Sequence, residues 1–309
     1  MPDISRADVA TLIQEAYASD LLASAAQAST VISAFSTVPM GTKTTHLPVL
    51  ATLPEAGWVG ESATDADGVK PQSKVTWQNR TLVAEELAVI IPVHENVLDD
   101  ATTDVLGEIA KSAGQAIGKK LDQAVLFGID KPASWVSQAL RPAAVGASQA
   151  FAVTAGPANE NDLVGASNKA AEAIAEAGWM PDTLISSVSL RYQVANLRDA
   201  NGFPIFRDES FNGFRTFFNR NGAWNPSAAS ALIVDSSRVK IGIRQDIEVK
   251  LLTEATLGMD DPNTAFNLAE RDMVALRFKA RYAYVLGTAA TAKGTNMVPV
   301  AAVVPSSGS

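Results

Sequence analysis

The run from Val93 to Gly128 constrains the fold more than any other stretch. Apolar or small residues recur at Leu98, Ala101, Val105, Ile109, Ala113, Ile117, Leu121 and Ala124, at spacings of three or four. That spacing predicts one helix of roughly eight or nine turns with a single core face. Asp99, Asp100 and Asp104 lie near its start and Lys119 and Lys120 nearer its end, as the helix dipole favours, and Gly128 is placed to close it. Three internal glycines oppose the helix, each costing about 1 kcal/mol relative to alanine. At about 100° per residue Gly114 and Gly118 point within roughly 20° of Gly107, one on either side. Two readings stay open: tolerated flexibility, or a shallow groove against which another segment, from this subunit or a neighbour, lies closely.

Composition narrows the function classes. A chain of 309 residues can bury a sizeable core, as one large domain or as two to three lobes. Only 19% of residues are charged and 47% are hydrophobic, so much of the surface is small or weakly polar and suits extensive contacts. A net charge of −8 argues against gripping nucleic acid, which needs a dense cationic face. There are no cysteines, which excludes disulfides, thiolate metal sites and cysteine nucleophiles. The Leu87 to Val93 run is too short to span a bilayer, so no membrane partner is expected.

Taken in order, residues 3 to 28 read as a partly helical arm and the pattern turns to strand from Val31. Residues 51 to 82 have turn composition and isolated Trp58 and Trp77, which suits a long two-stranded loop. Loops this long are uncommon unless they do something, and the tryptophans favour reaching a partner. LVAEELAVIIPV is a strand leading into the long helix. A second helix is expected from Glu160 to Ala177, capped by Asn159 or Asn161 and stopped by Gly178. DTLISSV reads as a buried strand, SLRYQVANLRDA as a short helix, and FRTFFN, ALIVDSSRVKIGIR and IEVKLLTE as strands. FNLAERDMVALRFKARYAYVLG closes the pattern, and the tail after Thr288 reads as small, polar and mobile.

Motifs for chemistry are weak. His46 and His94 stand alone without metal-ligand spacing, so no metal site and no cofactor is expected. GQAIGKK lacks the glycine spacing and the hydroxyl of a phosphate loop and is read as helix. Acidic pairs at Glu85-Glu86, Asp99-Asp100 and Asp260-Asp261 fit solvated turns or helix starts better than paired catalytic acids. No catalytic residue is assigned.

The ordered set of HLPVL, GWVGES, KPQSKVTW and LAVIIPVHENVLDDA running into a helix that ends LDQAVLFG resembles the major capsid proteins of tailed bacteriophages, the HK97-like family. NGFPIF, ALIVDSSRVKIGIR, IEVKLLTE and AERDMVALRFKARYAYVLG extend the resemblance from about Val31 to Gly287, and Arg281 falls where such proteins often keep an arginine. The resemblance implies an α+β chain. It would have an N-terminal arm (1–30), an extended E-loop hairpin (47–91), a P-domain (31–46, 92–139 and 256–290) with the long spine helix, an A-domain (140–255) with a mixed sheet flanked by helices, and a C-terminal tail (291–309). The implied function is mechanical: hexamers and pentamers tiling an icosahedral or prolate shell around packaged double-stranded DNA, in a virion assembled in the host cytoplasm. The implied partners are the chain itself, a separate scaffold protein, a portal and decoration proteins, with DNA enclosed without sequence-specific binding. Trp58, Trp77, Gly107, Gly114 and Gly118 are the candidate assembly contacts. Some relatives join subunits covalently; the matching candidates here are Lys70 or Lys74 with Asn263 or Asn267, assisted by Glu270 or Asp272, and their imperfect placement argues against a cross-link. Rival readings are an encapsulin-like compartment enclosing protein cargo and a soluble carboxylate-based hydrolase.

Overall fold

Two sheets and one long helix contribute side chains to a common core. A computed structural model describes residues 28–52, 54, 73, 75–100, 105–154, 162–197, 211, 213–258, 266–287 and 297–305. The sequence-assigned arm up to residue 27 lies outside that range. The described chain opens with helix α1 (Thr30–Ala34), strand β1 (Ser36–Met40) and a hairpin of β2 (Thr44–Thr52) and β3 (Thr76–Val83). Strand β4 (Glu85–His94), α2 (Glu95–Asp100) and the long helix α3 (Val105–Asp122) follow. A π turn, Gln123–Phe127, ends α3, and Gly128 closes it at φ +75°. Then come α4 (Leu140–Gly146), β5 (Ala150–Ala152), α5 (Leu163–Glu176), β6 (Thr183–Ser187), α6 (Val188–Ala195), β7 (Arg215–Asn219) and β8 (Ala231–Val234). The last strands are β9 (Val239–Leu252), β10 (Thr256–Leu257), β11 (Phe266–Asn267), β12 (Met273–Leu286) and β13 (Val300–Val304).

The first sheet has the order β1-β9-β12-β4 and the second β5-β13-β8-β6-β7. Strand β12 is the spine of the first, antiparallel to β4 on one side and to β9 on the other. Its alternation is the reason. Leu276, Phe278, Tyr282, Tyr284 and Leu286 face the main core with Ala110, Ala113, Ile117 and Leu121 of α3. Arg277, Lys279 and Arg281 stand on the opposite face. The second sheet is covered on both faces, so its strands are continuous apolar runs instead. Leu232, Val234, Val300 and Ala302 enter the main core. Ala231, Ile233, Ala301 and Val303 pack beneath Ala166, Ala170 and Ile174 of α5.

Four sequence expectations change. The helix starts at Glu95, because Val93 and His94 pair with Val274 and Met273 and so extend β4. Asp162, not Asn159 or Asn161, caps α5, its Oδ1 accepting from Gly165 N at 2.7 Å. Residues 239–252 belong to the first sheet, beside β1 and β12, rather than with the second-sheet segments they were grouped with. The segment read as a polar tail supplies β13, which lies inside the second sheet between β5 and β8 with Val300 to Val303 fully buried.

Candidate functional site

The hairpin of β2 and β3 exposes much of its surface. Its strands pair from Thr44↔Val83 to Thr52↔Thr76, and Trp77 is 64% exposed on β3. Two paired strands are marginal by themselves in water. This pair is anchored at its base, where Met40, Leu82, Ala84, Ala283 and Val285 form a small buried cluster that takes in Leu47. Ala84 N donates to Lys43 O at 2.8 Å, and Trp135 Nε1 donates to Val83 O at 3.0 Å. The anchor fixes where the hairpin leaves the body, and the exposed indole offers a large apolar surface to a partner.

Beside that base, the outer face of the first sheet carries a band of charge. Arg277 Nη2 lies 3.0 Å from Glu248 Oε1, Lys279 Nζ 3.3 Å from Glu248 Oε2, and Arg281 Nη2 3.4 Å from Glu86 Oε2. The hydrogen bond from Lys279, joined by the Arg277 charge, holds the Glu248 carboxyl below its ordinary range. These are solvent-accessible pairs, each worth little in stability.

The joint between the sheets holds a polar cluster that no motif announced. Asp122, the last residue of α3, is fully buried and faces five donors. Oδ1 accepts from Ser29 Oγ at 2.7 Å and Val31 N at 3.1 Å. Oδ2 accepts from Thr30 N at 2.9 Å, Asn219 Nδ2 at 2.9 Å and Asn221 Nδ2 at 2.8 Å. Burial pushes the carboxyl above its ordinary range, opposed by the bonds from Ser29, Thr30, Asn221 and Val31. The one sequence signal was position: an acid four residues after Gly118, on the same side of the helix as the three glycines.

The other sequence candidates separate. Gly107, Gly114 and Gly118 are buried within the subunit on the face of Ala110, Ile117 and Leu121, and α1, β4 and β12 pack on this helix. In the single chain all three glycines are thus covered rather than exposed. Trp58, Lys70, Lys74, Asn263 and the Asp260-Asp261 pair lie outside the described residues. Asn267 ends β11 half-buried, its Oδ1 accepting from Ala269 N at 3.1 Å, and Glu270 and Asp272 are exposed just beyond it. Glu85 and Glu86 are adjacent in β4, and their partners differ: Lys43 at 4.0 Å for Glu85, Lys279 and Arg281 for Glu86. They form no acid pair. His46 Nδ1 is 3.2 Å from Thr81 Oγ1 across the hairpin, and no group of three metal-ligating side chains occurs among the described residues.

Comparison with known proteins agrees with this layout. The model of the phage capsid family matches residues 10–295. A structure from Mycobacterium phage Adephagia is 69% identical over 99% of both chains, with a TM-score of 0.82. One from Mycobacterium phage Cain is 70% identical over 99% of this chain and 100% of that one, also at 0.82. At 17% identity, over 89% of this chain and 90% of that one, the capsid of a native GTA particle shares the fold with a TM-score of 0.59. No curated protein matches. A sheet carrying a long helix, an anchored hairpin and a second covered sheet define the class, an HK97-like shell subunit. The chain belongs to the phage capsid family: it is a structural major capsid protein, not an enzyme, that associates with itself to form the shell of a virion.

Proposed function

We propose that copies of this chain assemble as hexamers and pentamers into a closed icosahedral or prolate shell around packaged double-stranded DNA. The 69–70% identity to mycobacteriophage structures over 99% of the chain carries this reading. The acidic balance of −8 supports contents held without sequence-specific binding. In this reading the hairpin is an E-loop reaching a neighbour through Trp77. The first sheet with α3 is the P-domain, with residues 239–252 added to it, and the second sheet with β13 is the A-domain. Assembly takes place in the host cytoplasm with a scaffold protein, a portal and decoration proteins as partners, and many individually modest contacts sum to a stable shell.

The test is to purify native particles, measure their mass and digest them with nuclease. Megadalton particles protecting double-stranded DNA are expected; shells filled with protein cargo, or a small oligomer, would overturn the proposal. Glu270 and Asp272 are exposed in the single chain, unlike a buried acid that assists bond formation, which supports subunits held non-covalently. Boiled particles run on a denaturing gel should give one band near 32.4 kDa rather than a ladder.

A further inference from the structure

A cleft of about 950 Å³ opens between α1, the outer stripe of α3 and the end of β7. Lys111, Ser112, Gln115 and Lys119 line it from α3, and Thr216 and Arg220 line it from the β7 segment. None of the described lining residues is acidic, although acids outnumber bases by 33 to 25 in the whole chain. Lys119 reaches across the cleft: its Nζ lies 3.8 Å from where a Cβ on Gly222 would stand, which brings it beside the turn that follows Arg220. Among the described residues no carboxylate pairs with Lys119 or Arg220. Lys111 meets Glu108 at 3.7 Å, an exposed contact worth little. Arg215 adds charge at the edge, its guanidinium 5.5 Å from the centre of the Phe217 ring, which also lines the cleft. The Asp122 carboxylate behind Ser29, Thr30 and Asn221 is fully buried with five donors on its oxygens, so it does not occupy these cations.

Local charge, rather than net charge, decides what a surface attracts. Lys111 and Lys119 stand about 12 Å apart along the helix axis. One strand of duplex DNA presents a phosphate about every 3.4 Å of its axis, so this row spans several phosphates where a single small anion would meet one cation. The hydroxyls of Ser112 and Thr216 and the amide of Gln115 are donors of the kind that hold phosphate oxygens. A small-molecule pocket would be enclosed and mainly apolar, and a protein partner would seek exposed aromatic anchors, whereas Phe217 and Phe218 are half-buried. The charged band on the first sheet is the weaker candidate, because Arg277, Lys279 and Arg281 already face Glu248 and Glu86.

We propose that this cleft is a phosphate-backbone contact for the enclosed double-stranded DNA. Lys111, Lys119 and Arg220 take the phosphates, and Ser112, Gln115 and Thr216 donate to the same oxygens. The inference rests on the reading of the chain as a shell around DNA, and it adds which face of the subunit meets the contents: the cleft opens to the interior. With so few cations each subunit binds weakly, and with contacts confined to the backbone it is indifferent to sequence. An acidic chain can then hold its contents at many repeated points without gripping them at any one.

Two measurements test it. Native particles, and the same particles after osmotic release and digestion of their DNA, are treated with a lysine-acetylating reagent and read by mass spectrometry. Lys111 and Lys119 should react at least about threefold more slowly in the filled particles, with Lys43 and Lys250 unchanged. Equal reactivity of Lys111 and Lys119 in both, or equal protection of all four lysines, overturns the proposal. Native particles without double-stranded DNA would sink the functional reading itself, and the cleft then stands or falls on the second measurement. The unassembled full chain is titrated with short duplex DNA by fluorescence anisotropy over a range of salt. Lys119→Gln with Arg220→Gln should weaken binding at least about tenfold at low salt and flatten the log–log salt slope by about 2. Both side chains are exposed, so the fold is spared, and Lys250→Gln should change neither quantity. No binding by the natural chain, no effect of the double variant, or an equal effect of Lys250→Gln overturns the proposal. Tighter binding of poly-glutamate than of the duplex makes an acidic protein segment the occupant and overturns it as well.

Discussion

Replacing Gly242 by alanine tests whether the hairpin anchor is as tight as its geometry. Gly242 lies on β9 opposite Val38 of β1 and Ala283 of β12. A Cβ built there would sit 2.3 Å from Met40 Sδ, 2.9 Å from Ala283 Cβ and 3.3 Å from Met40 Cγ. Ordinary contact is about 3.5–4.0 Å, so the sulfur must retreat by about 1.2 Å or more. Met40 is flexible but only 2% exposed, enclosed by Leu82 and Ala84, and Ala283 Cβ is fixed to a paired strand. Two effects oppose each other. Alanine gains about 0.5–1 kcal/mol over glycine in a strand, whereas overpacking costs about 1–3 kcal/mol. Two sub-3 Å contacts place the cost toward the upper end, for a net loss of about 2 kcal/mol. Urea unfolding of the unassembled subunit, followed by tryptophan fluorescence, reads it. Met40→Ala by itself should cost about 2–5 kcal/mol through its cavity. In that background Gly242→Ala should cost about 1 kcal/mol less, since two of its three clashes are gone. Equal cost in both backgrounds, or a stabilised single variant, would refute the reasoning.

Burial holds the Tyr282 phenol up to about 12, and Tyr284, which donates to Gln138 O at 2.9 Å, is pushed up further by the same cause. An acid whose folded pKa is raised contributes stability that is complete below its unfolded value near 10 and is lost as pH rises through the folded one. For Tyr282 the two-unit gap amounts to about 3 kcal/mol, so unfolding, followed by circular dichroism, should set in above pH 10. Trp77→Ala should leave subunit stability within about 0.5 kcal/mol and weaken assembly, seen as a higher concentration threshold for particle formation. Deleting residues 300–309 removes β13 from inside the second sheet and should leave no soluble folded subunit, whereas a dispensable tail would leave circular dichroism unchanged.

What the sequence disclosed followed from which interactions are local. Helix α3 was legible because its apolar period is repeated over its whole length, and β12 because arginine and lysine alternate with large apolar residues. The helix start was misplaced at Val93 because Pro92 suits a first helical turn. It equally suits β4, an edge strand where a missing N–H costs nothing, and pairing with β12 decides between them. Strand β13 was hidden by being buried on both faces, since VAAVV shows no alternation and follows a stretch of small polar residues. Strand β9 was read as two pieces because polar Gln245 and Asp246 interrupt its apolar pattern while its backbone pairing continues on both sides of them.

The joints were less legible than the layers for a related reason. Asp122 in isolation reads as a polar residue near a helix end; what makes it distinctive is a set of donors more than ninety positions away. Gly242 reads as a mild weakness in a strand until Met40 of β1 is laid across it. Both positions lie where separate elements meet, at the rim of a core those elements already share, so their contacts set angles rather than supply the bulk of stability. Changes in the layers, such as at Ile233 or Leu121, should therefore abolish the subunit before they alter any shell. Graded changes at the joints, such as Ser29→Ala, should spare the subunit and alter the angles at which its elements meet.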